Sequence, residues 1–254
     1  MISKLKFGKV LKNEVNDLSI CIPSRRWTSA MEFVLNECSP LGIKVYWIKH
    51  GKSGSAKPKN VEILNYLGKA GHAEEFFFNS IREIKTDGWI LRLDDDEVLG
   101  EKTLLAIKNL IPSLSADTIY GVPRIWVRRI GKTWFKSRRT KPQDSDSDYQ
   151  YRLFRPNYVK ADLRIHTSGV LAKRKKKISQ LEPIIHVIWE VSTLEERILK
   201  IREYESVETG AGIGKIRYYL PELYPTDSSW EKLNSSEIRT TKRWFDNFKD
   251  MVQQ

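Results

Sequence analysis

Four carboxylates stand in a row at Asp94-Asp95-Asp96-Glu97, directly behind the apolar run Trp89-Ile90-Leu91-Arg92-Leu93. The run has the length and near-continuous apolarity of a strand buried on both faces, as in a parallel sheet. Ligands of such sheets collect where the strands end at their carboxyl edge. Adjacent acids there repel one another, raising some pKa values unless a cation offsets them. Oxygen ligation suits hard ions such as Mg2+ or Mn2+, which keep waters and bridge to substrate phosphates. The same residues also fit a helix start, with Asp96 as cap and Glu97 and Glu101 complementing the dipole.

The elements needed to position these acids are legible around them. Residues 18–23 read as a strand stopped by Pro23, followed by the polar turn Ser24-Arg25-Arg26. Thr28 is a candidate cap for a helix running to about Cys38. Residues 43–48 and, more weakly, 61–64 read as strands, and 72–85 carry apolar residues at helical period. A helix over 101–110 follows the acids. This β-α-β-(β)-α-β-α order predicts an α/β fold: a mostly parallel, doubly wound central sheet flanked by helices. Beyond it, 119–129 and 132–136 read as a hairpin turned at Ile130-Gly131. A polar acidic loop is expected over 143–148, strands over 151–154 and 184–189, and helices over 193–207 and 230–251.

The chain has 254 residues, 40% of them hydrophobic, which is ample for a core. No run approaches the roughly 18 apolar residues that span a bilayer. Basic residues at the amino terminus have no apolar stretch behind them, so no secretory signal is expected. Cys21 lies in an apolar strand and reads as a buried thiol, which with Cys38 as the only other cysteine points to a reducing cytoplasm. Forty-four basic against 32 acidic residues leave a formal charge of +12. That excess suits a polyanionic partner: nucleic acid, an anionic membrane surface or a phosphorylated substrate. Eight basic residues fall between Arg124 and Lys141, interleaved with Trp126, Trp134 and Phe135, and residues 173–177 are all basic. The first segment reads either as a solvated hairpin or as a surface for sugars and phosphates. The second reads as a surface turn able to add attraction to an anionic membrane.

Several segments together resemble family 2 glycosyltransferases with the GT-A fold, over roughly residues 18 to 205. Ser19-Ile20-Cys21-Ile22-Pro23-Ser24-Arg25 is similar to that family's opening strand, whose Pro-centred loop holds the sugar nucleotide. Asn79 lies fifteen residues before Asp94, the separation of the family's helix asparagine and metal-binding acid, and residues 89–97 resemble its DxD segment. Tyr151-Arg152-Leu153-Phe154-Arg155 with Ile165-His166 is similar to lipopolysaccharide-core-type members, and Ile185-His186 before a helix with Lys200 and Tyr204 continues the likeness.

The resemblance implies a metal-dependent hexosyltransferase, inverting, that moves a sugar from a nucleotide diphosphate sugar to a glycan, lipid or protein acceptor. It places Pro23, Ser24, Arg25 and Asn79 near the nucleotide. Asp94 falls on the ribose or a metal-bound water, Asp95 in the variable position, and Asp96 on Mn2+ or Mg2+, with His186 as a late addition to the metal shell. It also divides the chain into a nucleotide-sugar half at 1–120, an acceptor-side half at 121–190 and a helical extension at 191–254. Two departures matter. The second strand ends Lys49-His50-Gly51 where relatives commonly place an aspartate that reads the base, so the base is unassigned. Relatives show a glutamate after the histidine where this chain has Ile165-His166-Thr167, which leaves the general base among Asp162, His166, Asp144, Asp146 and Asp148. The expected location is cytoplasmic, with peripheral contact to an anionic membrane and no specific nucleic acid. The rival readings are a metal-dependent nuclease, since strand-end carboxylates and a basic surface also suit phosphodiester cleavage, and a non-catalytic nucleic-acid-binding module.

Overall fold

The computed structural model describes residues 17–50, 58–66, 73–84, 86–130, 133–137, 148–162, 168–223 and 230–233. The first half runs β1 (Leu18–Ser24), α1 (Ser29–Cys38), β2 (Lys44–His50), β3 (Glu62–Tyr66), α2 (Ala73–Glu83), β4 (Trp89–Arg92), β5 (Glu97–Val98) and α3 (Glu101–Leu110). The second half continues with β6 (Thr118–Ile130), β7 (Thr133–Ser137), β8 (Asp148–Phe154), β9 (Val159–Ala161), β10 (Val170–Ala172), β11 (Arg174–Lys177) and β12 (Ile184–His186). It closes with α4 (Ile188–Val191), α5 (Leu194–Val207), α6 (Ile216–Tyr219) and β13 (Trp230–Lys232).

The expected α/β class, with a central sheet flanked by helices, is the architecture found. β3, β2, β1 and β4 lie side by side and parallel. Their side chains alternate between the two faces, as the period of a strand requires. Leu18, Ile20, Ile22, Val45, Trp47, Trp89 and Leu91 pack with Met31 and Val34 of α1 and Leu104 and Ile107 of α3. Cys21, Tyr46, Ile48 and Ile90 face the other way, against Phe77 and Ile81 of α2 and Ile84 just beyond it. Helices on both faces explain why these strands read as continuous apolar runs. The burial is heavy: Ile20, Cys21, Ile22, Trp47, Ile48, Ile90 and Leu91 are all 0% exposed.

Antiparallel pairing begins at β8, which lies between β4 and β6. β6 bends at a register shift between Tyr120 and Gly121. A Cβ on Gly121 would stand 3.2 Å from Tyr149 and from Tyr151, so the glycine admits the tyrosines of the neighbouring strand. The hairpin of β6 and β7 is the one read from sequence, paired Ile130↔Thr133 at its tip. β11 and β12 both run parallel to β6, and β12 also pairs with the two-residue β5.

Four expectations need correction. Residues 184–189 are not one strand: β12 ends at His186, the Val187 N–H donates to Asp96 O, and α4 starts at Ile188. Four residues are too few to show a helical period in a β-branched sequence. Trp230–Lys232, read as the start of a helix, is a strand paired with β7, and residues 234–251 lie outside the described residues. Arg174–Lys177, read as a surface turn, is a strand of four exposed residues; basic side chains along a strand hinder its pairing with another chain. Asp148, placed in the acidic loop, opens β8, whereas Asp144 and Asp146 lie outside the described residues.

Candidate active site

In the order β3-β2-β1-β4 the chain moves outward on opposite sides of β1, so a topological switch point lies between β1 and β4. In open parallel sheets the crevice at the carboxyl ends of two such strands is the usual ligand site. The turn after β1 and the acids after β4 meet there. Ser24 Oγ donates to Asp95 Oδ2 at 2.6 Å, and Thr28 Oγ1 donates to Asp95 O at 2.6 Å. Thr28 Oγ1 also accepts from Met31 N at 3.2 Å, so one hydroxyl caps α1 and fixes the acid turn. Trp47 Nε1 donates to Ser24 O from the neighbouring strand.

The acids do not start a helix. The cap of α3 is Gly100, and Asp94–Glu97 form a tight turn closed by Glu97 N donating to Asp94 O at 3.2 Å. Glu97 is 0% exposed and belongs to the interior. It accepts from Arg124 at 3.0 Å, from Arg152 at 2.5 Å and from the Asp94 N–H at 2.8 Å. The second nitrogen of Arg152 donates to Asp94 Oδ2 at 2.7 Å, and Arg92 lies 3.6 Å from Asp94 Oδ1. Burial disfavours the charged form of Asp94, yet Arg152, Arg92 and Lys200 outweigh it and hold its carboxyl well below the usual carboxylate range. Burial and the adjacent Asp96 push the Asp95 carboxyl up to about 6, against the pull of Lys200 and the Ser24 hydrogen bond.

Asp96 is 2% exposed. Its Oδ2 accepts from Lys200 Nζ of α5 at 3.2 Å, and its Oδ1 lies 3.2 Å from His186 Nε2. Among the described residues Oδ1 accepts no hydrogen bond, so the approach of His186 is not one, and Nδ1 of the ring also has no partner there. Burial and the positive charge of Arg124 drive the His186 pKa well below its ordinary value, so the ring is neutral. It stacks on Trp126 with centroids 3.8 Å apart. Burial opposes the charge on Lys200, but Asp96 prevails and raises its pKa well above the ordinary value.

These contacts alter the case for a metal ion. The acids are offset by Arg92, Arg124, Arg152 and Lys200, so an added cation is not needed to relieve their repulsion. The donor atoms remain suited to one. A buried carboxylate oxygen without a hydrogen-bond donor, 3.2 Å from a neutral imidazole nitrogen, matches two neighbouring ligands of an ion bonding each at about 2.1 Å, which stand about 3 Å apart. Among the described residues no group of three or more His, Cys, Asp or Glu is arranged to hold a metal, so water or substrate oxygens would complete such a shell.

The remaining expected residues are scattered. Pro23 sits half-buried in β1, paired with Ile48. Arg25 pairs with Glu203 of α5 at 2.8 Å. Asn79 is an exposed residue of α2. Asp162 is buried at the end of β9, its N–H donating to Gly169 O across the β9-β10 ribbon. His166 lies outside the described residues. Arg152 and Lys200 carry the electrostatics of the site and have no role from sequence, and Arg124, read as part of a solvated or sugar- and phosphate-binding hairpin, is paired with buried Glu97. The available signal was a lone arginine in the apolar strand Tyr151-Arg152-Leu153-Phe154, where a buried charge requires a partner.

Neither a family model nor a curated protein matches the chain. A solved structure, that of S. aureus TarS residues 1–349, is similar at a TM-score of 0.44 and 11% identity, over 91% of this chain and 80% of that one. A likeness that distant carries no functional argument.

Proposed function

We propose that the protein is a glycosyltransferase of GT-A type that moves a sugar from a nucleotide diphosphate sugar to a glycan, lipid or protein acceptor, with inversion. The observation that carries the reading is the joining of the β1 turn to the acid turn at the β1/β4 switch point, through Ser24, Thr28 and Asp95. A crevice built in this way suits a nucleotide whose phosphates lie at a carboxyl strand edge. The resemblance of residues 19–25, 89–97 and 151–155 to family 2 enzymes supports the same assignment.

In this reading Ser24 and Asp94 border the nucleotide, while Asp96 and His186 hold Mn2+ or Mg2+. The ion, when bound, offsets charge on the departing diphosphate. The acceptor hydroxyl oxygen bonds to the anomeric carbon as the bond from that carbon to the diphosphate oxygen breaks. The electron pair leaves with the diphosphate, and the hydroxyl proton passes to a base, for which Asp162 and His166 are the candidates. The sugar side is formed by Trp126, Trp189 and Trp230, partly buried rings that meet in series beside His186, tilted at 5.6 Å and edge-to-face at 5.1 Å. Such faces suit the apolar side of a sugar ring. The strand Arg174–Lys177 supports peripheral attraction to anionic lipid, at about 1 kcal/mol per basic residue near the surface. We also place the protein in the cytoplasm, where a reducing environment suits the free, buried thiols of Cys21 and Cys38. A thermal-shift panel of nucleoside diphosphates with and without Mn2+ tests the assignment. Stabilisation by one of them, strengthened by Mn2+, is expected; no shift with any contradicts it.

A further inference from the structure

Resting on the glycosyltransferase reading, we propose that Lys200 supplies a fixed positive charge to the diphosphate of the donor. Among the described residues four cations pair with the acid turn, and three of them are largely buried with it. Arg92, Arg124 and Arg152 have side chains 7%, 12% and 6% exposed, and Arg152 uses both terminal nitrogens on Asp94 and Glu97. Lys200 differs: its side chain is 32% exposed although its partner Asp96 is buried. An ammonium carries three N–H donors, and Asp96 takes one. A lysine in this state is a point charge able to hold a phosphate oxygen without giving up its carboxylate.

The helix that carries Lys200 is placed for this task. Glu196, Lys200 and Glu203 stand at i, i+4 and i+7 and so share one face of α5. Glu196 binds Arg26, whose guanidinium also donates to Val191 O, and Glu203 binds Arg25. Both arginines belong to the turn after β1. The two ion pairs hold the face carrying Lys200 over the carboxyl edge of the sheet, and the Asp96 contact brings its nitrogen to the end of β4. The position combines the β1 turn, where the nucleotide is placed, with the acid that faces the phosphates. Removing a charge-assisted contact of this kind lowers affinity by about 10- to 100-fold.

The test is titration calorimetry with the diphosphates of uridine, guanosine, cytidine, adenosine and thymidine, and with the corresponding nucleosides, in chelator and in Mn2+. Lys200→Gln leaves a donor for Asp96 and removes the charge; Lys200→Met is a second neutral variant, and Lys200→Arg keeps the charge. Circular dichroism confirms the fold of each. The neutral variants are expected to lose about 10- to 100-fold in diphosphate affinity under both conditions, with nucleoside affinity within about twofold of wild type and Lys200→Arg retaining most of the binding. Unchanged diphosphate affinity, or an equal loss for the nucleoside, overturns the role of Lys200. Wild-type protein that binds no diphosphate in either condition overturns the glycosyltransferase reading, and this inference with it.

Discussion

Arg152 and Glu97 form an ion pair at 2.5 Å in which the glutamate side chain is 0% and the arginine 6% exposed. The same guanidinium reaches Asp94, so one side chain of the antiparallel half fixes the acid turn of the parallel half. Removing one partner of a buried pair leaves an uncompensated charge, so Arg152→Met is expected to cost about 3–5 kcal/mol in urea unfolding at neutral pH. The effect depends on pH. Because the Asp94 carboxyl is depressed in the folded state, its stabilisation is present above the unfolded carboxylate value of about 4 and is lost as pH falls below it. The gap between variant and wild type should therefore narrow in unfolding series at pH 3. A gap that is constant with pH would mean that Arg152 acts through packing alone.

Ser24 links the β1 turn to Asp95, and its effect should fall on ligand binding as well as on folding. Ser24→Ala is expected to destabilise by about 1 kcal/mol and to weaken nucleoside diphosphate binding. It should also raise the Asp95 pKa further, because the lost hydrogen bond favours the charged carboxylate. Urea unfolding of the variant checks the stability, calorimetric titration the binding, and carboxylate resonances followed by pH titration the Asp95 shift.

The nuclease reading predicts a different phenotype for the same acids. A glycosyltransferase with this basic surface binds DNA or RNA weakly, with affinity falling steeply as salt rises, and leaves the strands intact. Incubation with labelled nucleic acid in Mg2+ or Mn2+ decides between them. Cleavage that disappears in Asp94→Ala would establish the nuclease.

On the acceptor side, a general base at Asp162 would make Asp162→Asn slow sugar transfer by about 10^2- to 10^4-fold with donor affinity unchanged. Near-wild-type turnover would pass the role to His166, and a collapse of donor affinity would place Asp162 on the nucleotide instead.

The parallel half was readable because its signals are local. Leu18, Ile20, Ile22, Trp89 and Leu91 are buried on a two-faced sheet, and such strands are apolar throughout. Thr28 caps α1 in the way its residue type allows. The site was less readable, because its chemistry rests on contacts far apart in sequence. Arg152 meets Glu97 across 55 residues, and Lys200 meets Asp96 across 104. Nothing in the run Asp94-Asp95-Asp96-Glu97 reveals that Glu97 turns inward while Asp95 accepts from Ser24. The pairing of Arg25 with Glu203 of α5 is likewise a contact between distant segments that the likeness of residues 19–25 to a nucleotide-binding loop does not record. The β12-to-α4 change was hidden for another reason: it is set by the Val187 N–H bonding to Asp96 O, a tertiary contact that apolar patterning does not record.

Whether Asp96 couples a metal ion to the diphosphate is decided by titrating a nucleoside diphosphate into wild-type protein and Asp96→Asn, each in chelator and in Mn2+, with circular dichroism to show both folded. Affinity for wild type should rise at least about tenfold when Mn2+ replaces chelator, and Asp96→Asn should lose that gain, as expected when an ion's carboxylate ligand is removed. An Asp96→Asn protein that binds the diphosphate as wild type does, with the same response to Mn2+, would contradict the assignment.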